Sequence, residues 1–308
     1  MDSYNVLLKD YGNGRKKLIL YDKCITNLDA DEKEFNKIKK ECDEFGVLLD
    51  DEQKKPKNPL TDDEKLLKRI ENDNRAKSKI YDYAMANKWD WFFTLTFSPN
   101  IVDRTNYREC KNKLQGWLKK IRERYSPTLK FLFVPELHED GESWHFHGLV
   151  ANMTNVNFEM AINPKDESII IHNGKVVFNC EKWNYGFSEC TKIVDTQRVS
   201  NYITKYITKS LLAHLEGENR YLCSRNLNKP KEEKYFVPVT DEIYDFQIGK
   251  MNNGITLDYL YSKDDVIYEK TKTYEYNGVK STITYVEIQE KINCFIPATD
   301  SDSKIFNK

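Results

Sequence analysis

The sequence predicts an α+β fold: a central antiparallel β-sheet with flanking helices, carrying N- and C-terminal extensions. Three observations predict it. Runs rich in aromatic and β-branched residues, at 91–97, 131–138 and 144–151, are bounded by turn residues. Segments at 61–87 and 107–125 repeat apolar residues at helical spacing. Their order (strand, helix, strand, strand, strand) suits an antiparallel sheet with its helices on one side.

The first 60 residues carry few signals. Lys16-Lys17-Leu18-Ile19-Leu20-Tyr21 has strand character. Residues 29–51 are charge-rich, with Phe35, Ile38 and Phe45 at helical spacing, and residues 50–59 are polar with two prolines, as in a linker. Residues 1–60 are therefore expected to form an N-terminal extension and linker, with no chemistry assigned. Thr61-Asp62-Asp63-Glu64 has the spacing of a capping box and opens a helix. Leu67, Ile70, Ile80, Tyr83 and Ala84 carry its apolar stripe to about Asn87.

Trp91-Phe92-Phe93-Thr94-Leu95-Thr96-Phe97 is a strand that stops at Ser98-Pro99-Asn100. Alternation puts Thr94 and Thr96 on one face and Phe93, Leu95 and Phe97 on the other. Residues 107–125 form a helix whose apolar side is Cys110, Leu114, Trp117, Leu118 and Ile121; Lys111, Lys113, Lys119, Lys120, Arg122 and Arg124 cover the other side. Strands at 175–180 and at the end of 183–194 extend the sheet. A helix over 199–210 follows. Residues 61–234 are expected to form the principal domain, and residues 235–308 a C-terminal region of unknown role.

Composition narrows the function classes. The chain has 308 residues, 31% charged and 39% hydrophobic. No run approaches the roughly 20 apolar residues that span a bilayer, and no basic-then-apolar leader opens the chain. Seven scattered cysteines without a CxxC pair suit reduced thiols in the cytoplasm and argue against structural zinc. Net charge is −1, yet its distribution is uneven. Residues 61–125 hold 15 Lys and Arg against 10 Asp and Glu; residues 196–234 hold 8 against 4; the tail 235–308 holds 8 against 12. Basic segments on both sides of residue 145 suit an anionic substrate.

The chemistry concentrates in two stretches. In Trp144-His145-Phe146-His147-Gly148, strand alternation points both histidines one way, about 7 Å apart, and Phe146 the other way. Glu139-Asp140-Gly141-Glu142-Ser143 has the composition of a hairpin turn. Such a hairpin would bring Glu136, from the preceding strand, beside the histidines. Two His and one carboxylate with open positions form a recurring catalytic metal site. The second stretch, Tyr202-Ile203-Thr204-Lys205-Tyr206-Ile207-Thr208-Lys209, repeats Tyr-Ile-Thr-Lys at helical spacing. Its tyrosines share one helix face and its lysines an adjacent one. A phenol can act as a covalent nucleophile when a cation or a polarised electrophile compensates for its pKa near 10.

Taken in order, Phe92-Phe93-Thr94-Leu95-Thr96-Phe97, Glu136 with His145-Phe146-His147, and the tandem tyrosine helix resemble three motifs of the rolling-circle replication initiators. These are the endonucleases named for a His-hydrophobic-His motif (HUH), here in the two-tyrosine phage and plasmid form. Residues 220–230 are similar to a segment that follows the third motif, and the resemblance covers about 65–230. It implies an RRM-like or ferredoxin-like sheet. It implies Mg2+ or Mn2+ on His145, His147 and Glu136. The spacing from Glu136 to His145 is a residue longer than in some relatives, which makes His138 the substitute donor. Tyr206 and Tyr202 are implied as nucleophiles, Tyr206 making the first cut, with Lys205 and Lys209 beside the phosphate.

The implied reaction nicks single-stranded or extruded origin DNA. It leaves a 5′-phosphotyrosine and a free 3′-OH primer, and it rejoins the strand at termination. The expected partners are a host helicase, since the sequence holds no GxxxxGK[ST], and a host DNA polymerase, in the cytoplasm of a bacterial host and with no membrane. Two alternatives stay open. One is a transposase or relaxase with the same motif, although relaxases place their tyrosines ahead of the histidines. The other is a non-catalytic nucleic-acid-binding module on an RRM-like sheet.

Overall fold

The computed structural model describes residues 4–25, 61–210, 218–237, 260–276 and 279–290, without the side chains at 62–64, 67, 207–210, 276 and 279. The helical spacing at Phe35, Ile38 and Phe45 and the linker at 50–59 lie outside the described residues. In chain order, β1 (Tyr4–Asp10) and β2 (Arg15–Ile25) precede α1 (Asp62–Met85), β3 (Trp91–Leu95), α2 (Tyr107–Arg124), β4 (Lys130–Leu137) and β5 (Trp144–Ala151). Short strands follow: β6 (Phe158–Met160), β7 (Ile171–His172), β8 (Lys175–Val176), β9 (Phe178–Cys180) and β10 (Ser188–Lys192). The chain continues through α3 (Thr196–Ser210), β11 (Leu222–Cys223), β12 (Lys231–Tyr235), β13 (Val266–Tyr276) and β14 (Val279–Gln289). It divides into two compact units, Asp51–Pro230 and a second made of both flanks, Met1–Asp50 with Lys231–Lys308.

The Asp51–Pro230 unit is α+β, built on a seven-stranded sheet of order β11-β4-β5-β3-β10-β9-β6. Its neighbouring strands run antiparallel. Next to the central strand β3, β5 is apolar at Phe146, Leu149 and Val150, with no exposure of any of the three. A strand buried on both faces needs cover on both, and this corrects the expectation of helices on one side. On one face α2 packs Cys110, Leu114, Trp117, Leu118 and Ile121 against Phe93, Phe133, Phe146 and Val150. On the other, Ile80 and Ala84 of α1 and Ile203 and Tyr206 of α3 pack on Leu132, Val134, Leu149 and Ala151.

Local chemistry sets the helix starts. Asn106 caps α2 by accepting from Glu109 N at 3.2 Å, and Asp195 caps α3 by accepting from Gln197 N and Arg198 N at 2.9 and 3.1 Å. Gly148 allows the two-sided packing of β5. It lies opposite both Phe93 and Phe133, and the two rings meet edge-on over it at 6.3 Å. Among the described residues, no helix is long and apolar enough to cross a membrane.

The second unit is a five-stranded sheet, β12-β1-β2-β14-β13. The strand expected at 16–21 is β2, and it joins β1 on one side and β14 on the other. The N-terminal and C-terminal segments, separate by sequence position, thus form one sheet. Val6, Leu8, Leu18, Leu20, Val286 and Ile288 form its apolar core.

Candidate active site

The β4–β5 hairpin builds the site. The turn expected at 139–143 is tied by Gly141 N to His138 O at 2.9 Å, with Gly141 at φ 73°. Asp140 staples it, accepting from Glu142 N, Ser143 N and the Ser143 hydroxyl. Those donors hold the Asp140 carboxyl well below the usual range. The resulting register sets Glu136 opposite His145 and Val134 opposite His147, and β3 adds Thr94 on the other side of His147. Because side chains alternate, Glu136, His145, His147, Thr94 and Phe92 share the face that carries α1 and α3.

Both ring nitrogens of His147 are engaged. Nε2 lies 2.5 Å from Glu136 Oε2, and Nδ1 lies 3.2 Å from Thr94 Oγ1. A ring carrying its proton on Nε2 donates to the carboxylate and accepts the threonine hydroxyl at Nδ1. The contact is buried at both partners. His145 instead faces His138, ring centroids 4.6 Å apart. Burial, with the neighbouring His138 and His147, pushes the His145 pKa down to about 4, against the opposing pull of Glu136 and Asp140. Its lone pair is therefore available at neutral pH.

The helix α3 brings the tyrosines to this face. Tyr206 stacks on His147 with centroids 3.7 Å apart and planes 13° from parallel. Tyr202 meets Tyr206 edge-on at 5.1 Å, and Phe92 contacts both rings at 5.3 and 6.4 Å. Only 9% of Tyr206 is exposed, against 44% of Tyr202. Burial first, then the Tyr202 hydrogen bond and the Glu136 and Glu189 charges, pushes the Tyr206 phenol far above its ordinary value. Lys205 is exposed, with Nζ 6.0 Å from the Tyr202 ring. Lys209 belongs to α3, but its side chain lies outside the described residues.

The structure thus gathers Glu136, His145, His147, Tyr202 and Tyr206 on one face. Their donor atoms are not gathered around one point. Among the described residues no group of three His, Cys, Asp or Glu side chains is arranged to hold a metal. Glu136 and His147 contact each other directly, and His145 pairs with His138. The donor chemistry still fits a divalent cation, since carboxylate and unprotonated imidazole are ordinary ligands for one.

Sequence reasoning missed Glu189. It lies opposite Thr94 on β10, hence on the same face, and its Oε1 is 2.6 Å from His172 Nδ1. Alternation along 188–192 would have separated it from buried Ser188 and Cys190. Thr94 was assigned to a face, but its contact with His147 needed the β3–β5 register.

No curated protein and no solved structure matches the chain. Residues 90–211 match the model of a family described as replication-associated protein, a stretch that spans β3 to α3 and contains Thr94, Glu136, His145, His147, Tyr202 and Tyr206.

Proposed function

We propose that the protein initiates rolling-circle replication by nicking single-stranded or extruded origin DNA and rejoining the strand at termination. One observation carries this reading. The stack of Tyr206 on His147 brings one of two tandem tyrosines onto the sheet face of Glu136 and His145. The family match over residues 90–211 supports the replication role.

In the proposed reaction the Tyr206 oxygen attacks phosphorus in line with the departing 3′ oxygen. The new O–P bond forms as the P–O3′ bond breaks, and the phenolic proton ends on the 3′ oxygen. The products are a 5′-phosphotyrosine and a free 3′-OH, which a host polymerase extends behind a host helicase. The ester conserves the bond, so a later 3′-OH can attack it and restore the strand. Tyr202, nearer solvent, takes the second transfer.

The buried Tyr206 phenol holds its proton tightly, so a cation must assist its loss. Lys205 and Lys209, each three positions beyond a tyrosine, supply positive charge for the phosphate. Glu136, His145 and His147, with His138 as the alternative donor, would hold Mg2+ or Mn2+. When bound, that ion supplies a Lewis acid for the scissile phosphate. Thr94 and Glu136 hold the His147 ring in one orientation beneath the tyrosine.

The test is mass spectrometry of the covalent protein–oligonucleotide adduct, formed with Mg2+ or Mn2+ on a single-stranded origin oligonucleotide. The adduct is expected on Tyr206 or Tyr202. Its absence, or its location on a third tyrosine such as Tyr185 or Tyr221, would overturn the reading.

A further inference from the structure

The five-stranded sheet carries a ladder of tyrosines and lysines on the face opposite its apolar core. Alternation sends Val6, Leu8, Leu18, Leu20, Val286 and Ile288 to the core side. The register then puts Lys234, Lys17, Tyr21, Tyr285 and Lys272 together on the other side. Contacts connect them across the sheet. On β12, Lys234 Nζ sits 4.7 Å from the Tyr4 ring of β1. Tyr4 meets Tyr21 of β2 edge-on at 6.0 Å. Tyr285 of β14 lies diagonal to Tyr21, with Lys17 Nζ and Lys272 Nζ at 5.5 and 5.7 Å from its ring. Along the edge strand β13 the same face presents Tyr268, Lys270, Lys272 and Tyr274, all exposed, the tyrosines at 48% and 45%.

Charge is sorted between the two faces. Glu269 and Glu275 of β13 alternate away from the ladder. The acidic side chains on the ladder face, Glu232 and Glu287, lie 3.2 and 3.7 Å from Lys9 and Lys17. Among the described residues, Lys234, Lys270 and Lys272 have no carboxylate in ion-pair range. Flat rings spaced by ammonium groups offer stacking surfaces for bases and counter-charges for the phosphates between them. A duplex hides the faces of its bases, and the aliphatic side chains that share this face, Leu7, Ile19 and Ile283, are buried or half-buried, so a protein partner would find little of them. The ligand that fits is an unpaired polynucleotide strand.

We propose that this face binds single-stranded DNA, as a surface separate from the tyrosine site. The choice of DNA rests on the function proposed above; the chemistry of an unpaired strand does not.

The test uses the full chain carrying Tyr202→Phe and Tyr206→Phe, so that no covalent adduct forms. Its affinity for a labelled, hairpin-free single-stranded DNA is read by fluorescence anisotropy over a salt series. Lys270→Ala with Lys272→Ala should weaken binding about tenfold and lower the salt slope by about 1.4, two phosphates at about 0.7 each. Tyr268→Ala with Tyr274→Ala should weaken it by about tenfold or more, whereas the corresponding Phe pair should bind like the parent. The Phe pair, with equal melting temperatures throughout, separates loss of stacking from loss of fold.

In the chain with both catalytic tyrosines intact, none of these changes should alter cutting of a short oligonucleotide that covers only the scissile site. Parental DNA affinity in both Ala pairs overturns the inference and leaves the nicking reading standing. Absence of any cutting, with the Ala pairs still weakened, overturns the nicking reading instead. Equal losses on single-stranded RNA overturn the assignment to DNA. Unchanged DNA affinity with a dimer turned to monomer assigns the face to a second copy of the chain and overturns it also.

Discussion

Tyr206 lies flat on His147, ring centroids 3.7 Å apart and planes 13° from parallel. The stack joins α3 to β5 through two side chains that the proposed chemistry needs. It ties the position of the phenol to an imidazole whose own orientation is fixed by Glu136 at 2.5 Å and Thr94 at 3.2 Å. Helix, sheet and hairpin turn therefore converge on one ring, and small changes in any of them should register in activity.

The tyrosine pair should divide the work. Tyr206→Phe keeps the ring that stacks on His147 and removes only the oxygen proposed as the nucleophile. It is expected to lose most initial nicking. Tyr202→Phe should nick and then fail to rejoin, and the double variant should be inert. Single-turnover cleavage and strand-transfer assays check this. Near half activity of each single variant in both steps would make the two positions interchangeable.

Thr94 is expected to act as a positioning residue. Thr94→Val keeps the shape and removes the hydroxyl that meets His147 Nδ1. Loss of such a supporting contact typically costs on the order of tenfold in activity. Nicking should fall by about that factor with little change in melting temperature, and Thr94→Ser should recover most of it. A valine variant as active as the parent would remove Thr94 from the site.

Much of this site was legible in the sequence because its periods are short. Two-residue alternation in Trp144-His145-Phe146-His147 and a five-residue turn bring Glu136 to His145, and the four-residue repeat pairs Tyr202 with Tyr206. The meeting of Tyr206 with His147 was not legible, since it depends on where α3 crosses the sheet. Nor was the placement of helices on both faces, which follows from Phe93 and Phe133 facing away from Leu132 and Leu149. The flank sheet was hidden for a different reason. Leu20 pairs with Val6 nearby but also with Thr284 at the far end of the chain, and local pattern carries no information on such a pairing.

The lysines should matter for chemistry rather than folding. Replacing Lys205 and Lys209 together with Met removes both charges that the proposed reaction uses at the attacked phosphate. Cleavage is expected to slow by at least about tenfold, roughly 1.4 kcal/mol of barrier. Single-turnover rates measure it directly, and unchanged rates would remove both residues from the proposed chemistry.

Gly148 should be intolerant of a side chain. A Cβ there would fall 2.2 Å from two Phe133 ring carbons, and that ring is fully buried. Overpacking of this kind costs about 1–3 kcal/mol. Gly148→Ala should lower the denaturation midpoint accordingly, and Phe133→Leu in the same chain should recover part of the loss. Because residue 148 follows His147, nicking should drop as well. A Gly148→Ala protein of parental stability would mean that β4 yields there more easily than its packing implies.

The low pKa of His145 makes stability depend on pH in a defined window. Folded, it titrates at about 4; unfolded, it returns to its ordinary value near 6.5. Between those values the unfolded chain holds the proton that the folded chain lacks, so stability rises with pH across the window. The stabilisation is fully present above about 6.5 and is lost as pH falls toward 4. Burial is the largest cause of the shift, so replacing the ring with an uncharged side chain should remove the dependence. Urea denaturation of metal-free protein from pH 7.5 to 4.5 should show the parent losing stability more steeply than His145→Gln. Parallel curves would mean that the ring takes up its proton in the folded chain as readily as in water.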